Sequence, residues 1–281
     1  MKMIIPRWLI YLLIFIGVLV PLFTPTALKV KVEHPTQSLF DYIDKMTEDQ
    51  ALMISIDFDP QSMPELYPML VALLRHAFSK NIKVIGMGMW QTGIGIGDEA
   101  LRTVSKEYNK EYGKDYVYLG WLYPYVVNIL KMGESIKEAF PKDYYGNKTD
   151  DLPIFEYIKN YSNVGLIISL SAGDPGYMTY VIYANTTYGV KIATGVTGIS
   201  GADVYPFLQT GQLIGSLAGM VGAAEYERLC YEQGYFKKDL PVYITRRASQ
   251  AMFSQSVAHV LIMIFIIIGN IEFFLFKKRR K

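Results

Sequence analysis

The sequence has very little cysteine and histidine. Cys230 is the single cysteine among 281 residues, so the chain forms no internal disulfide and has no cysteine pair to hold a metal. Three histidines, His34, His76 and His259, are too few to favour a histidine-rich metal site or a Cys–His dyad. We expect Cys230 to be a small buried hydrophobic residue on a helix. We expect His76 to be a surface or boundary residue of a helix.

Two further absences exclude classes of function. The sequence contains no Gly-x-Ser-x-Gly elbow, no His-Glu-x-x-His motif and no phosphate-binding-loop lysine. Seven of the 28 basic residues but only one of the 26 acidic residues lie in 1–27 and 252–281, so residues 28–251 carry a net charge of −4. A net-acidic body argues against nucleic acid as a partner, because phosphates need a basic face.

Long apolar runs are present at both ends of the chain. Residues 8–27 hold no charged side chain over a length that suits a membrane span of about 20 residues. We interpret this run as an uncleaved anchor, because Pro25-Thr26-Ala27 puts proline where a signal peptide needs a small residue. Residues 252–276 form a second span, and the five consecutive basic residues that follow are typical of a cytoplasmic end.

These runs predict a two-pass protein of the cell membrane with both termini in the cytoplasm. The predicted domains are an N-terminal transmembrane anchor at 1–27, an extracytoplasmic α/β domain at 28–251, and a transmembrane helix with a basic tail at 252–281. N-glycosylation acceptor triplets begin at Asn147, Asn160 and Asn185, which agrees with an outside domain.

The second span contains polar residues that need a partner in lipid. They are Ser254, Gln255, His259, Asn270 and Glu272. Either they snorkel to the headgroups, or they pack against the first span or a partner helix. His259 lies deepest of the first three and is the best candidate for packing.

Apolar runs alternate with helical patterns through the middle of the chain. The strand-like runs are 51–59, 82–90, 116–121, 164–172 and 190–196. The helical patterns are 37–48, 62–81, 98–112, 124–139, 153–160, 175–184 and 203–232. Strands separated by helices imply a parallel sheet covered on both faces, whose strands read as unbroken apolar runs. We therefore predict an α/β fold: a Rossmann-like, doubly wound, mainly parallel sheet of about five strands, flanked by one N-terminal and one C-terminal transmembrane helix.

The last predicted helix carries a stripe of small residues. Gly211, Gly215, Gly219 and Ala223 recur every four positions and would line one face of helix 203–232. Each glycine costs about 1 kcal/mol of helix stability relative to alanine, so the stripe suggests a compensating close contact. The contact is either packing on the domain's own sheet or an interface with a second copy or another membrane protein.

Four acidic residues follow predicted strands. Ligands of an open parallel sheet bind beyond the carboxyl ends of its strands. Asp57 and Asp59 end the first strand, Asp174 follows the fourth and Asp203 follows the fifth. Together the four could hold Mg²⁺, which prefers oxygen ligands, with Asp57, Asp59 and Asp174 as catalytic acids. The alternative is that Asp59 caps the next helix and Asp57 is a strand-end acid in a polar loop.

Glycines and aromatic residues also follow predicted strands. Gly93, Gly95 and Gly97 lie between a strand and a helix, as in a phosphate-binding loop. Their spacing is not the dinucleotide fingerprint, and the acids that follow them oppose an anionic ligand, so we expect no cofactor. The aromatic residues at strand ends that could line a pocket are Trp90, Trp121 and Tyr123.

The combined patterns favour a function without catalysis. We predict a non-enzymatic component of a membrane complex, whose Rossmann-like domain mediates assembly or binds a ligand or partner. The lipid bilayer and either a second copy or another membrane protein are its expected partners. The alternative is a membrane-anchored metal-dependent hydrolase or ligand sensor that uses the Asp57, Asp59 and Asp174 set.

Overall fold

One parallel sheet of six strands organises the molecule. The computed structural model describes residues 6–24 and 30–278; residues 1–5, 25–29 and 279–281, which carry parts of the predicted anchor and basic tail, lie outside the described residues. The strands are β1 (Ala51–Asp57), β2 (Lys83–Gly88), β3 (Tyr116–Trp121), β4 (Val164–Ser171), β5 (Ile192–Val196) and β6 (Ser216–Ala218). Their order across the sheet is β3-β2-β1-β4-β5-β6, and every neighbouring pair is parallel.

Helices connect the strands and extend the chain at both ends. They are α1 (Arg7–Phe23), α2 (His34–Lys45), α3 (Met63–Ser79), α4 (Ile94–Glu107), α5 (Tyr125–Glu134), α6 (Ile136–Ala139), α7 (Ile154–Tyr157), α8 (Tyr177–Tyr180), α9 (Thr186–Tyr188), α10 (Tyr205–Gln209), α11 (Gly219–Glu232), α12 (Val242–Thr245) and α13 (Arg247–Lys278). A π-helical turn, Val181–Asn185, joins α8 to α9. Three-residue 3₁₀ turns lie at Gln91–Gly93, Thr149–Asp151 and Tyr161–Asn163, and a longer one lies at Ile199–Val204.

The mixed α/β architecture and its parallel sheet are confirmed, and all five predicted strands are present. They were recognisable because both faces are covered: every residue of β1 and of β4 is buried. Alternate residues of β1 enter two separate cores. Leu52, Ile54 and Ile56 pack with α2, α3, α4 and α11, whereas Met53 packs on the opposite face, which also holds Tyr180.

The predicted helix 203–232 is wrong. The chain there forms α10, a turn, the short strand β6 and only then α11. Gly211 adopts φ +73° in the turn, and Gly219 begins α11 at φ +57°. A Cβ at Gly215 would lie 2.6 Å from the carbonyl oxygen of Pro35, so the glycine is needed for the close approach of α2. Gly211, Gly215, Gly219 and Ala223 therefore share no helix face, and their spacing gives no support for an interface.

A long apolar helix closes the chain. Residues Arg247–Phe274 of α13 are long and apolar enough to cross a membrane, whereas the apolar α1 has 17 residues and is shorter than that. The two helices pack together. Ser254 of α13 donates its hydroxyl to the carbonyl oxygen of Val18 at 2.7 Å, and a Cβ at Gly17 would collide with a methyl of Leu261. The N-terminal span and the predicted domain boundaries remain predictions.

The polar residues of α13 differ from one another in their surroundings. Ser254 is the residue that bonds to α1, while Gln255, His259 and Asn270 are exposed on the helix surface. Asn270 donates to the carbonyl oxygen of Ile266 in its own helix. Glu272 is buried.

A buried carboxylate attaches α13 to the part of the chain that holds the sheet, residues 30–246, which we call the α/β unit. Glu227 of α11 accepts the backbone N–H groups of Ala248 and Ser249 and the hydroxyl of Ser249, each at 2.9 Å. These N–H groups belong to the first turn of α13 and have no acceptor within their own helix. Burial raises the pKa of Glu227 to about 7.

Candidate functional site

The carboxyl end of β1 forms a buried polar cluster. Asp57 is fully buried; its carboxylate accepts the N–H of Met89 at 2.6 Å and the hydroxyl of Ser169 at 3.3 Å. Ser55, which accepts the hydroxyl of Tyr180 at 2.8 Å, also hydrogen-bonds to this carboxylate. Burial raises the pKa of Asp57 to about 7, against the opposing effect of these donors. The hydrogen bonds of Asp57 thus link the end of β1 to β4 and to the residue that follows β2.

The other predicted acids divide into two groups. Asp59 accepts the N–H and the hydroxyl of Ser62 at 3.1 and 3.2 Å, so it holds the turn before α3. It does not cap the helix as expected, because Ser62 is the N-cap residue and its side chain makes no capping hydrogen bond to the first N–H groups of α3. Asp174 and Asp203 both line a cleft at the ends of β4 and β5. Within residues 6–24 and 30–278 no group of three or more His, Cys, Asp or Glu side chains could hold a metal ion. The four acids therefore do not converge on one point.

The cleft is a concave site formed by the chain segments that follow β4 and β5. Its volume is about 240 Å³, and it is lined by Ser171, Gly173, Asp174, Gly176, Tyr177, Met178, Val196, Ser200, Asp203 and Phe207. Tyr177 donates its hydroxyl to the backbone carbonyl of Asp203 at 3.2 Å. Burial, followed by the nearby Asp203 and Asp174 carboxylates, raises the pKa of this phenol. The arrangement offers hydroxyl donors, two acids and aromatic faces to a small polar ligand.

A tryptophan that follows β2 holds the loop after β4. Trp90 donates its indole N–H to the carbonyl oxygen of Pro175 at 2.8 Å, so it braces the cleft from β2. Trp121 donates its indole N–H to Met89 at 3.2 Å, and its ring stacks on Tyr123 with 5.3 Å between centroids. Of the aromatic residues expected at the strand ends, Trp90 supports the cleft and the Trp121–Tyr123 pair lies exposed.

Gly93, Gly95 and Gly97 do not form a phosphate-binding loop. The helix that was expected to start near residue 98 starts at Ile94, so Gly95 and Gly97 lie within α4. A Cβ at Gly93 would lie 2.7 Å from the carbonyl oxygens of Ile56 and Phe58. Close backbone approach to β1 explains this glycine without a ligand.

We expect Gly93→Ala to lower the free energy of unfolding by about 2 kcal/mol, because the new methyl group overpacks against backbone that has no room to move. Gly95→Ala is the matched control: nothing lies within 4 Å of its Cβ position, and alanine favours the helix by about 1 kcal/mol. Denaturant unfolding of both variants measures the difference. Equal stabilities would show that Gly93 is not a packing residue.

A second polar cluster lies at the opposite end of the strands. His76 is fully buried, contrary to the expected surface position, and its ring stacks between Phe40 and Tyr235 at centroid distances of 4.6 and 4.7 Å. Its Nδ1 lies 2.7 Å from the hydroxyl of Tyr226. Burial lowers the pKa of His76 to about 4, so the ring is neutral at pH 7. Cys230 is buried as expected, and burial raises the pKa of its thiol.

Sequence reasoning overlooked the polar partners of Asp57. Ser55 and Asp57 are two residues apart in β1, and Ser169 and Ser171 are two apart in β4, so each pair faces the same side of the sheet. The signal was present as hydroxyl residues interrupting otherwise apolar runs. Tyr180 had no such signal, because the π-helical turn that follows it was not predictable from spacing. Comparison with protein-family models, curated proteins and solved structures finds no match for this chain.

Proposed function

We propose that this chain is a two-pass membrane protein whose α/β unit is a Rossmann-like, doubly wound module for binding a ligand or partner outside the cytoplasm, and that it acts as a non-enzymatic component of a membrane complex. The observation that carries the proposal is the continuity of α13. One helix is docked on α11 through Glu227 and continues as the apolar segment. A module attached without a linker is held at a fixed place on the bilayer.

Several features support the separate parts of this proposal. The strand order 3-2-1-4-5-6, with apolar cores on both faces, is the arrangement of doubly wound dinucleotide-binding sheets. The packing of α1 along α13 favours a two-helix anchor over a lone C-terminal span. The cleft between β4 and β5 favours binding, since its Asp174 and Asp203 lie apart from the buried Asp57. Among the residues that the structure describes, those two cleft acids support the alternative, a hydrolase or ligand sensor.

Glycosylation mapping of the full chain tests the topology. In microsomes, we expect glycans on the natural acceptors, of which Asn147 is exposed, because enzymes of the lumenal side modify only residues that cross the membrane. Substituting glutamine at Asn147, Asn160 and Asn185 supplies the matched control and should remove the mass increase. An acceptor triplet added after Lys281 should stay unmodified. Alkaline carbonate should leave the chain in the membrane.

Two outcomes would contradict the proposal. Release of the full chain by carbonate would mean that neither helix spans the bilayer. Modification of the added C-terminal triplet, with none at the natural acceptors, would put the α/β unit in the cytoplasm.

A further inference from the structure

The direction of α13 across the α/β unit decides which surface faces the bilayer. Residues later in the chain at the start of α13 contact residues earlier in α11. The Arg246 guanidinium lies 4.8 Å from the ring centroid of Tyr231, whereas Ala248 and Ser249 bond to Glu227. Ala251 then lines a groove with Met220, at the start of α11. The two helices are therefore antiparallel.

The same progression holds along α3. Arg75 donates to the carbonyl oxygen of Ile244 at 2.9 Å, Arg247 lies 5.7 Å from the ring of Tyr67, and Ala251 shares its groove with residues 60 to 68. Both α3 and α11 start where strands end, so α13 travels toward the carboxyl ends of the parallel strands. It leaves the α/β unit at that end.

No spacer separates the docked turn of α13 from its apolar segment. Residues 253–276 of a helix are about 36 Å long, close to the hydrocarbon thickness of about 30 Å. The lipid must therefore begin within about two turns of Ala251, beside the groove that Ala251 lines. The strand-end surface of the α/β unit, including the cleft, then lies next to the headgroups.

This surface exposes large apolar side chains. Ile199 is 95% exposed in the loop after β5, and Tyr205, which follows that loop, is 50% exposed. Gly198, next to Ile199, donates its N–H to Glu65 of α3 at 2.7 Å, so this loop is fixed beside the start of α3. Tyr123 after β3 is 67% exposed. An exposed apolar or aromatic side chain on a surface that lies beside a bilayer gains free energy when the interface buries it.

The three tryptophans lie in two separate places, at the strand ends and near the start of α1. Two of the three in the chain, Trp90 and Trp121, lie at the strand ends. The third, Trp8, is 65% exposed near the start of α1. Tryptophan and tyrosine concentrate at both interfaces of a bilayer, and this distribution would put one set at each interface. The strand-end loops also carry Asp59, Asp174 and Asp203, so attraction to anionic lipid does not explain the contact.

We propose that the strand-end surface rests on the chain's own bilayer, with Ile199 and Tyr205 in the interfacial layer and the cleft opening at the headgroups. This inference rests on the proposed function, since it requires α13 to span the membrane. It makes a ligand of the cleft one that is reached from the membrane surface. The driving force is burial of apolar side chains in the interface, not basic charge.

Spin labels on the full chain in phosphatidylcholine nanodiscs test the contact. A Cys230→Ala background carries a single label at Ile199→Cys or, as matched control, at Lys114→Cys, an exposed position just before β3 at the opposite strand end. We expect the label at 199 to collide several-fold more with oxygen, relative to a water-soluble nickel chelate, than the label at 114. Adding phosphatidylserine should not increase that ratio.

The outcomes separate the contact from the anchor. Equal ratios at 199 and 114, in a chain that resists carbonate, would overturn the membrane contact and leave the anchor intact. A label at 199 shielded from both probes would place the loop in a protein interface and also overturn it. A chain released by carbonate would contradict the proposed function itself.

Discussion

Glu227→Ala is expected to lower the free energy of unfolding of the α/β unit by about 3 kcal/mol and to loosen its attachment to α13. The substitution removes the acceptor of three hydrogen bonds from Ala248 and Ser249. Each buried donor left without a partner costs about 1–3 kcal/mol, although water entering the site would recover part of this.

Thermal and denaturant unfolding of the full chain in detergent measures the effect. Glu232→Ala is the matched control: Glu232 lies on the same helix, is exposed, and pairs with Arg228 at 2.8 Å. Because exposed ion pairs contribute little, its effect should stay below about 1 kcal/mol. If both variants lost the same stability, Glu227 would not be the attachment point.

Asp57→Asn is expected to remove a pH-dependent contribution to the free energy of unfolding. That contribution changes by up to about 4 kcal/mol between low and neutral pH. The pKa of Asp57 is raised in the folded chain from 3.8 to about 7, so the folded state binds a proton that the unfolded state has released. The contribution of Asp57 is complete below pH 3.8 and is lost as the pH rises to about 7. The magnitude follows because a tenfold difference in proton affinity between the folded and unfolded states corresponds to about 1.4 kcal/mol.

The measured quantity is the stability of the wild type minus that of the variant. It should fall steadily between pH 4 and 7, because asparagine does not ionise yet can still accept from Met89. Glu227, with its raised pKa, and His76, with its lowered pKa, titrate in the same range, but both proteins contain them and their effects cancel. Gly95→Ala, which changes no ionisable group and meets nothing within 4 Å of its Cβ position, supplies the control, with a flat difference. A difference that rises with pH would show that Asp57 is ionised in the folded chain.

The sequence predicted the interior of the sheet well and its periphery badly. Strands β1 to β5 were recognisable because each is apolar on both faces. Strand β6 has three residues and exists through its pairing with β5, so no local pattern distinguished it from the helix around it. The expected helix 203–232 failed there because Gly211 and Gly219 serve left-handed turns that look the same in sequence as small residues on a helix face.

The candidate site was also predictable only in part, because some of its contacts join residues far apart in sequence. Strand-end reasoning correctly placed Asp174 and Asp203 together, since the carboxyl ends of parallel strands share one edge. It placed Asp57 there too, but the N–H of Met89, 32 residues away, holds that carboxylate beneath the loop. A partner so distant in sequence is fixed by the crossover of the chain and leaves no periodic signal.

The sequence by itself determined the apolar framework of five strands and the long helix α13. Strands buried on both faces and a long apolar helix each appear in the sequence as local runs of apolar residues. Only the tertiary structure decided that Glu227 holds α13, that His76 is neutral and enclosed, and that α13 runs toward the carboxyl ends of the strands. Those facts depend on which distant groups meet. Hydrogen-bond donors and stacked rings satisfy one another across space, and neither their partners nor their direction is encoded in spacing along the chain.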